Sequence, residues 1–341
     1  MVLETITRRR MIGISAAAAG MALLPLYGRA ALEAVTWQGE AMGAQASLVI
    51  HHPDRAKAQG LVAATVAEVR RLERIFSLYR EDSDLTRLNR QGFLVAPPKE
   101  LVDILQQSRK VWALTGGAFD PTVQPLWEAY SRHFSTPGAS ETGPSAKIVG
   151  ERLGRVGLDR LVCSPERIEL PVRGAALTLN GIAQGYVTDR VVELLKAGGI
   201  ERSMVDMGES RAIGSAPGGR PWRVGISDPL HAETVLKVLE VEDRAVATSS
   251  PYGFRFDSEG KFSHIIDPRS GATPQRHASV TVAAGQATIA DAFSTAFNLM
   301  DTATVATVIG NSEGLEAYLL SHEGKWRHIP ARTPVLVSKA L

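Results

Sequence analysis

The stretch Thr288-Ile289-Ala290-Asp291-Ala292-Phe293-Ser294-Thr295-Ala296 combines a helical apolar pattern with two oxygen-bearing side chains. Asp291 and Thr295 are four residues apart, so a helix would place the carboxylate and the hydroxyl on one face, one turn apart. The opposite side would carry the apolar residues Ile289, Phe293, Ala296 and Met300. The pattern predicts a helix that packs through its apolar side and directs two oxygen ligands into a cleft. Such ligands suit Mg²⁺, although a solvated helix face with a local Thr–Asp hydrogen bond would produce the same pattern.

The charge of the chain is concentrated at its N-terminus. The 341 residues have a formal net charge of +2, but residues 1–30 alone carry +3, from four arginines and one glutamate. The rest of the chain therefore has a net charge of −1. This balance argues against a nucleic-acid partner, because phosphate binding needs a basic patch in the mature protein. Cys163 is the only cysteine, so no intramolecular disulfide or thiolate metal site is expected, and we place it at a strand edge.

Residues 1–30 have the features of a twin-arginine (Tat) export signal. The segment Thr7-Arg8-Arg9-Arg10-Met11-Ile12 precedes an apolar run from Ile14 to Leu26 that is too short for a settled membrane span. Gly28-Arg29-Ala30 provides a small-x-small cleavage site. We expect a periplasmic protein whose functional domain covers residues 31–341. An uncleaved anchor or a basic tail is the alternative.

The remaining sequence mixes helices with short strands. A strand pair is predicted between Val35 and Ile50, around a turn at Met42-Gly43, and helices are predicted over 56–76 and 99–114. Short strands with few intervening helices are predicted in the second half, at 203–207, 222–227, 245–249, 253–256, 263–266 and 278–283. The order of elements predicts an α+β fold, a single domain of two intimate subdomains with largely antiparallel sheet and packed helices.

Two turns are candidate binding elements. A short strand predicted over 176–179 leads through Asn180-Gly181-Ile182-Ala183-Gln184-Gly185-Tyr186 into a helix, and a glycine-containing turn at a helix N-terminus can bind an anion. Most such turns only connect elements. His264 precedes a predicted turn over residues 267–271. It could act as a general base or acid, or it could have a structural role.

Seven short motifs occur in an order that resembles one family. They are Met42-Gly43-Ala44, Phe76-Ser77-Leu78-Tyr79-Arg80, Gly117-Ala118-Phe119-Asp120-Pro121, Gly181 through Tyr186, Ala247-Thr248-Ser249, Ser263 through Gly271, and Ala290-Asp291 through Thr295. Together, over residues 36–330, they resemble the FAD:protein FMN transferases of the ApbE family. The segment Leu179 through Tyr186, with the Tat-like signal, resembles the branch associated with nitrous oxide reductase maturation.

The resemblance implies a function and a set of site residues. Family members move FMN from FAD onto a Thr or Ser hydroxyl of a target protein and release AMP. By this resemblance Gly181, Asp291 and Thr295 would hold Mg²⁺, and His264 would be the catalytic base. The FAD site would be lined by Met42, Tyr79, Ala118, Phe119, Asp120, Thr178, Gln184 and Ile265. The partner would be a flavoprotein with an exposed Thr or Ser, membrane-bound if the branch assignment is right.

Two positions depart from the family pattern. Thr178 stands where family members usually have Asp, and Gln184 stands where they usually have Lys or Glu. The first change removes a carboxylate near the flavin or the metal, and the second removes a charge. These changes motivate an alternative, a non-enzymatic periplasmic FAD-binding protein or flavin carrier. An FAD-splitting hydrolase is a third possibility, although Asp291 is the only good carboxylate for its metals.

Overall fold

The computed structural model describes residues 21–23 and 34–332. The arginine segment and the cleavage site of the expected signal lie outside these residues. Of the expected signal, only β1 (Met21–Leu23) is described, and it pairs with a strand at residues 222–227. Within the described residues, no helix is both long and apolar enough to cross a membrane.

The first half of the chain begins with a hairpin. Strands β2 (Val35–Ala41) and β3 (Ala44–Ile50) are joined by two residues, Met42 and Gly43, with φ of 53° and 80°. Both positive φ angles match the tight turn that fits the twist of a hairpin. Helices and short strands then follow in this order: α1 (Arg55–Phe76), α2 (Asp84–Gln91), β4 (Phe93–Val95), α3 (Lys99–Leu114), α4 (Gln124–Phe134), α5 (Ala146–Leu153), β5 (Val162–Cys163) and β6 (Arg167–Glu169).

The second half contributes most of the sheet. Its elements are α6 (Ala183–Ala197), β7 (Ser203–Asp206), β8 (Ser210–Ile213), β9 (Trp222–Ser227), β10 (Val235–Val241), β11 (Ala245–Ser249), β12 (Ser279–Ala284), α7 (Ala287–Phe297), α8 (Thr302–Gly310), β13 (Glu316–Leu320) and β14 (Trp326–Ile329). The largest sheet has the order β14-β13-β12-β11-β8-β7-β3-β2, and smaller sheets have the orders β1-β9-β10 and β4-β6-β5. Between the named strands every pairing is antiparallel. The predicted α+β fold with antiparallel sheet is confirmed.

Three predicted strands are absent from the described structure. Residues 176–179 pair with no strand, because the Asn89 side chain accepts from the Leu177 N–H and donates to the Leu177 carbonyl, at 2.7 and 2.8 Å. A side chain thus supplies the hydrogen bonds that a neighbouring strand would give. Residues 253–256 and 263–266 share a single bridge, Arg255 to Ser263.

Cys163 lies on the edge strand β5, as expected.

Helix α7 lies at the centre of the fold. It contacts α6, α3 and the strands β11 and β12, and its Phe293 belongs to an apolar cluster with Leu72, Leu105 and Val191. The approach of α6 to α7 is unusually close, because a Cβ placed on Gly185 would lie 2.3 Å from the Ala287 carbonyl oxygen. Only glycine permits this distance between the two backbones.

Substitution of Gly185 by alanine should therefore destabilise the protein. The new methyl group meets backbone, which cannot move without shifting α7. We expect the free energy of unfolding to fall by about 1–3 kcal/mol, the usual cost of overpacking. Urea denaturation followed by circular dichroism would measure it.

Gly60→Ala is the matched control. Gly60 lies inside α1, and a Cβ there meets no atom within 4 Å. This variant should gain about 0.5–1 kcal/mol, because alanine restricts the unfolded chain and favours the helix. Equal stability of Gly185→Ala and the parent protein would contradict the close packing of α6 on α7.

Candidate functional site

One cleft brings together most of the residues predicted for the site. Its volume is about 960 Å³ when the solvent at its mouth is included. Ten predicted residues line it: Ala118, Phe119, Asp120, Thr178, Gly181, Gln184, His264, Ile265, Asp291 and Thr295. Residues that are far apart in the sequence therefore line one cleft.

Asp291 lies deeper than the sequence predicted. Asp291 and Thr295 both line the cleft, as expected, but α7 is buried almost all round and Asp291 is only 3% exposed. The Gly185 N–H donates to Asp291 Oδ2 at 3.0 Å. The close approach of α6 to α7 thus provides a hydrogen bond for a carboxylate that would otherwise be buried without one.

Thr295 and Gly181 are adjacent across the cleft. A Cβ placed on Gly181 would lie 2.9 Å from Thr295 Oγ1, so a side chain at this position would fill the space beside the hydroxyl. Ser249 Oγ lies 2.6 Å from Ser294 Oγ and 3.3 Å from Thr295 Oγ1. This short hydroxyl chain fixes the direction of the Thr295 side chain.

Asp291 belongs to a group of buried acids. Burial raises the pKa of Asp291 to about 7. Burial, followed by the charges of Asp291 and Asp206, raises the pKa of Glu209 well above its ordinary value. Glu209 Oε2 is buried and has no hydrogen-bond partner within the described residues. A cation near these groups would stabilise their charged forms.

The oxygen atoms of this region fit a magnesium ion. Asp291, Thr295 and the carbonyl of Gly181 are hard oxygen donors, and the space beside Gly181 is one that a Cβ would fill. No lysine or arginine is among the lining residues of the cleft, so the protein supplies no cation to offset Asp291 there. In the described part of the chain, no three His, Cys, Asp or Glu side chains form a metal-binding group. A metal would therefore have one carboxylate, a hydroxyl and a backbone carbonyl as protein ligands, and substrate and water would supply the rest.

His264 has a defined hydrogen-bonding state. Its Nδ1 lies 3.0 Å from the carbonyl oxygen of Phe254. Since a carbonyl only accepts, Nδ1 carries the proton and Nε2 is left with a lone pair in the neutral ring. Burial lowers the pKa of His264, which favours the neutral form near pH 7. The ring can therefore accept a proton at Nε2.

Asp120 stabilises a loop that lines the cleft. Its carboxylate accepts hydrogen bonds from the Thr122 N–H, the Thr122 hydroxyl and the Leu158 N–H, at 2.8, 2.5 and 3.0 Å. Burial raises its pKa. These three bonds fix the path of the chain beside Ala118 and Phe119, so Asp120 has an evident structural task in addition to lining the cleft.

Thr178 and Gln184, the two positions at which the motif resemblance led us to expect charged residues, have different surroundings. The Thr178 N–H donates to the Pro121 carbonyl, and its Oγ1 accepts from the Asn180 N–H at 3.3 Å. Gln184 is 4% exposed, and its Nε2 has no hydrogen-bond partner within residues 34–332. Thr178 thus shapes the turn before Gly181, whereas Gln184 keeps a free donor beside the cleft.

Two predicted residues lie outside the cleft. Tyr79 lines an adjacent depression, named here the side groove, and its hydroxyl accepts from Asn180 Nδ2 at 3.4 Å. Met42 lies in the turn between β2 and β3, where its N–H donates to a Glu73 carboxylate oxygen at 2.9 Å. It is not among the lining residues of the cleft or the side groove.

Sequence analysis missed Asp189 and Trp127. Asp189, on α6, accepts from the Ala287 and Thr288 N–H groups at 2.8 and 2.9 Å, and it pairs with Arg211. Asp189 therefore caps the N-terminus of α7 although it belongs to another helix. The only sequence signal for this role is that Asp189 lies one turn after Gly185, on the same face of α6. Trp127 lines both the cleft and the side groove.

Comparison with known proteins assigns the chain to a family. The sequence model of the ApbE family matches residues 42–319. The chain belongs to the ApbE family. A relative named FAD:protein FMN transferase from Klebsiella pneumoniae is 29% identical over 303 residues, covering 86% of this chain and 85% of the relative. One of the same name from Escherichia coli is 27% identical over 304 residues, covering 86% of both chains.

Solved structures of ApbE-family proteins share the fold. The flavin transferase ApbE from Vibrio cholerae is 26% identical, with a TM-score of 0.75 over 88% of this chain and 97% of that one. The ApbE protein from Thermotoga maritima is 27% identical, with a TM-score of 0.77 over 87% of this chain and 97% of that one. The ApbE assignment made from the seven motifs is confirmed.

The raised pKa of Asp291 predicts how stability depends on pH in this ApbE-family chain. Between the ordinary value near 4 and about 7, the native state holds a proton that the unfolded chain releases. The free energy of unfolding without divalent cations should therefore fall as pH rises through this window. Asp291→Asn should reduce this slope, and the part that remains should come from Glu209. Urea denaturation in EDTA from pH 5 to pH 8 would measure both slopes.

Glu81→Gln provides the control for the pH series. Glu81 is exposed on the loop before α2, so its replacement removes a carboxylate without altering the buried acids. The slope of this variant should equal that of the parent protein. An identical slope for Asp291→Asn would show that Asp291 is ionised throughout the range.

Proposed function

We propose that this protein transfers FMN from FAD to a Thr or Ser hydroxyl of a target protein and releases AMP. The observation that carries the proposal is the meeting of Asp291, Thr295, Gly181 and His264 in one cleft. It is supported by membership of the ApbE family and by the name that the relatives bear.

Asp291, Thr295 and the carbonyl of Gly181 would hold Mg²⁺ in this reaction. When bound, the ion would offset negative charge on the pyrophosphate of FAD. Thr295 is directed by its contacts with Ser249, and Asp291 by the Gly185 N–H. These contacts hold the two side chains in place before any ligand arrives, so little reorganisation is needed on binding.

The protein residues would orient the substrate and move one proton. The target hydroxyl oxygen attacks the phosphorus of the FMN half of FAD, the bond from that phosphorus to the AMP oxygen breaks, and AMP leaves. His264 Nε2 accepts the hydroxyl proton. Phe119, Ala118 and Ile265 provide apolar walls of the cleft, and the free Nε2 of Gln184 provides a hydrogen-bond donor.

The site of action follows from the expected export signal. We propose that the protein works in the periplasm after twin-arginine export. Its target would be a membrane-bound flavoprotein, in line with the motif resemblance to the branch associated with nitrous oxide reductase maturation.

A non-enzymatic FAD carrier is the second candidate. It is favoured by Gln184, which places a neutral side chain where family members usually carry a charge. A carrier would bind FAD and leave it intact, with or without Mg²⁺. Release of AMP therefore separates the two functions.

The transferase should be tested with purified protein, FAD, MgCl₂ and a panel of polypeptides that each carry one exposed Thr or Ser. We expect a covalently fluorescent polypeptide and an equal amount of AMP, with both lost in Asp291→Asn. His264→Ala should slow transfer by about 10²–10⁴-fold, the usual contribution of a general base, and leave FAD affinity unchanged.

His231→Ala is the matched control for the histidine. His231 is on a surface loop with its side chain 74% exposed, and this variant should transfer at the parent rate. Tight FAD binding by the parent protein without labelled product or AMP would favour the carrier. A parent-like rate in His264→Ala would remove His264 as the base.

A further inference from the structure

The direction of the His264 ring depends on the loop that carries it. Residues 254–264, named here the His264 hairpin, run out and back, and a strand bridge joins Arg255 to Ser263. The Phe254 carbonyl accepts two hydrogen bonds from His264, one from its backbone N–H at 3.1 Å and one from Nδ1 at 3.0 Å. The register of the two arms therefore decides which ring nitrogen of His264 carries the proton.

The contacts that hold this register lie away from the cleft. The Phe256 N–H donates to the Phe262 carbonyl at 2.8 Å, on the other side of the bridge. At the turn, the Asp257 carboxylate accepts from the N–H groups of Lys261 and Phe262, at 3.0 and 2.8 Å. None of these four residues is among the lining residues of the cleft. The arms of the hairpin are thus fixed from outside the proposed FAD site.

Aromatic rings attach the hairpin to α4, and Phe256 is at the centre of this contact. Its ring centroid lies 5.5 Å from the centroids of Trp127 and Tyr130. It lies 5.3 Å from that of Phe254, which in turn stacks on Trp127. These separations are typical of attractive aromatic pairs. One ring therefore connects α4 with the residue whose carbonyl binds His264.

We propose that Phe256 is a positioning residue for His264. Its ring holds the outer arm of the hairpin on α4, and the Phe254 carbonyl is thereby kept where it binds the proton on Nδ1. The inference rests on the proposed transferase function, in which Nε2 of His264 accepts the proton of the target hydroxyl. In a loosened hairpin the ring would exchange between its two neutral tautomers, and the tautomer that carries its proton on Nε2 is no base at that atom.

Nitrogen NMR of the full chain labelled with ¹⁵N-histidine reads the tautomer directly. The chain has eight histidines, and the resonances of His264 are those that disappear in His264→Ala. Above neutral pH, the parent protein should show a protonated Nδ1 and an unprotonated Nε2. In Phe256→Ala both resonances should move toward the averaged position of exchanging tautomers, whereas Phe256→Tyr, which keeps the ring, should give the parent spectrum.

The same variants should change turnover without changing FAD binding. The kcat for flavinylation in Phe256→Ala should fall roughly tenfold, which is a part of the ~10²–10⁴-fold contribution of a general base. FAD affinity, measured by flavin fluorescence, should equal that of the parent protein, because Phe256 does not line the cleft. Phe256→Tyr should restore kcat.

A second variant reaches the hairpin from its turn. Asp257→Ala removes the hydrogen bonds to the N–H groups of Lys261 and Phe262 but no aromatic ring. It should shift the His264 resonances and lower kcat in the same direction as Phe256→Ala. Because Phe256 is partly buried and belongs to a small apolar cluster outside the main core, we expect both variants to fold, and thermal melting would check this.

Phe93→Ala is the matched control for the loss of an aromatic ring. Phe93 is on β4, and its ring contacts the Arg167 guanidinium. Within the described residues, its ring is not among the aromatic contacts of the hairpin. This variant should keep both the His264 resonances and the kcat of the parent protein.

The outcomes separate this inference from the transferase proposal. Parent-like His264 resonances in Phe256→Ala, or shifted resonances with the parent kcat, would overturn the role of Phe256 and leave the transferase in place. Weaker FAD binding by Phe256→Ala with an unchanged kcat would also overturn it, since the ring would then shape the FAD site. Absence of labelled product and AMP with the parent protein would overturn the transferase, whereas the NMR comparison decides independently whether Phe256 orients the ring.

Discussion

The close contact between α6 and α7 is the constraint on which the site depends. Gly185 has no side chain, so the backbone of α6 lies close to the Ala287 carbonyl. A Cβ on Gly185 would lie only 2.3 Å from that carbonyl oxygen. At this distance the Gly185 N–H can donate to Asp291, and Asp189 can cap the first N–H groups of α7. One packing contact therefore fixes both the position of α7 and the hydrogen bonding of its buried carboxylate.

This arrangement keeps an acid in an environment that disfavours its charge. Asp291, Asp206 and Glu209 are all at least 92% buried, and their pKa values are raised by burial. A folded protein tolerates such groups when they are protonated or when a cation compensates them. Of these three acids, Asp291 is the one that lines the cleft.

Local sequence patterns predicted the secondary-structure elements, but they did not predict how those elements pack in the interior. The spacing of apolar residues gave α1 and α3 nearly to the residue, and the Asp291/Thr295 spacing placed both on one helix. The burial of Asp291 could not be read in this way, because it depends on α6, a hundred residues earlier. For the same reason residues 176–179 resemble a strand in sequence, yet the side chain of Asn89 takes both backbone hydrogen bonds of Leu177. Trp127 gave no local signal, since its position follows from the path of α4.

At position 184 the resemblance to the family predicts a charged residue, whereas this chain has the neutral Gln184. A lysine at this buried position would add a positive charge to the lining of the cleft, and a positive charge close to a carboxyl group lowers its pKa. The neutral amide of Gln184 leaves Asp291 without a protein cation, since no lysine or arginine lines the cleft. Any positive charge that ionises Asp291 must then arrive with the substrate or as a metal ion. In the proposed transferase, binding of a cation at this site would favour the ionised form of Asp291, so that the two equilibria would be linked.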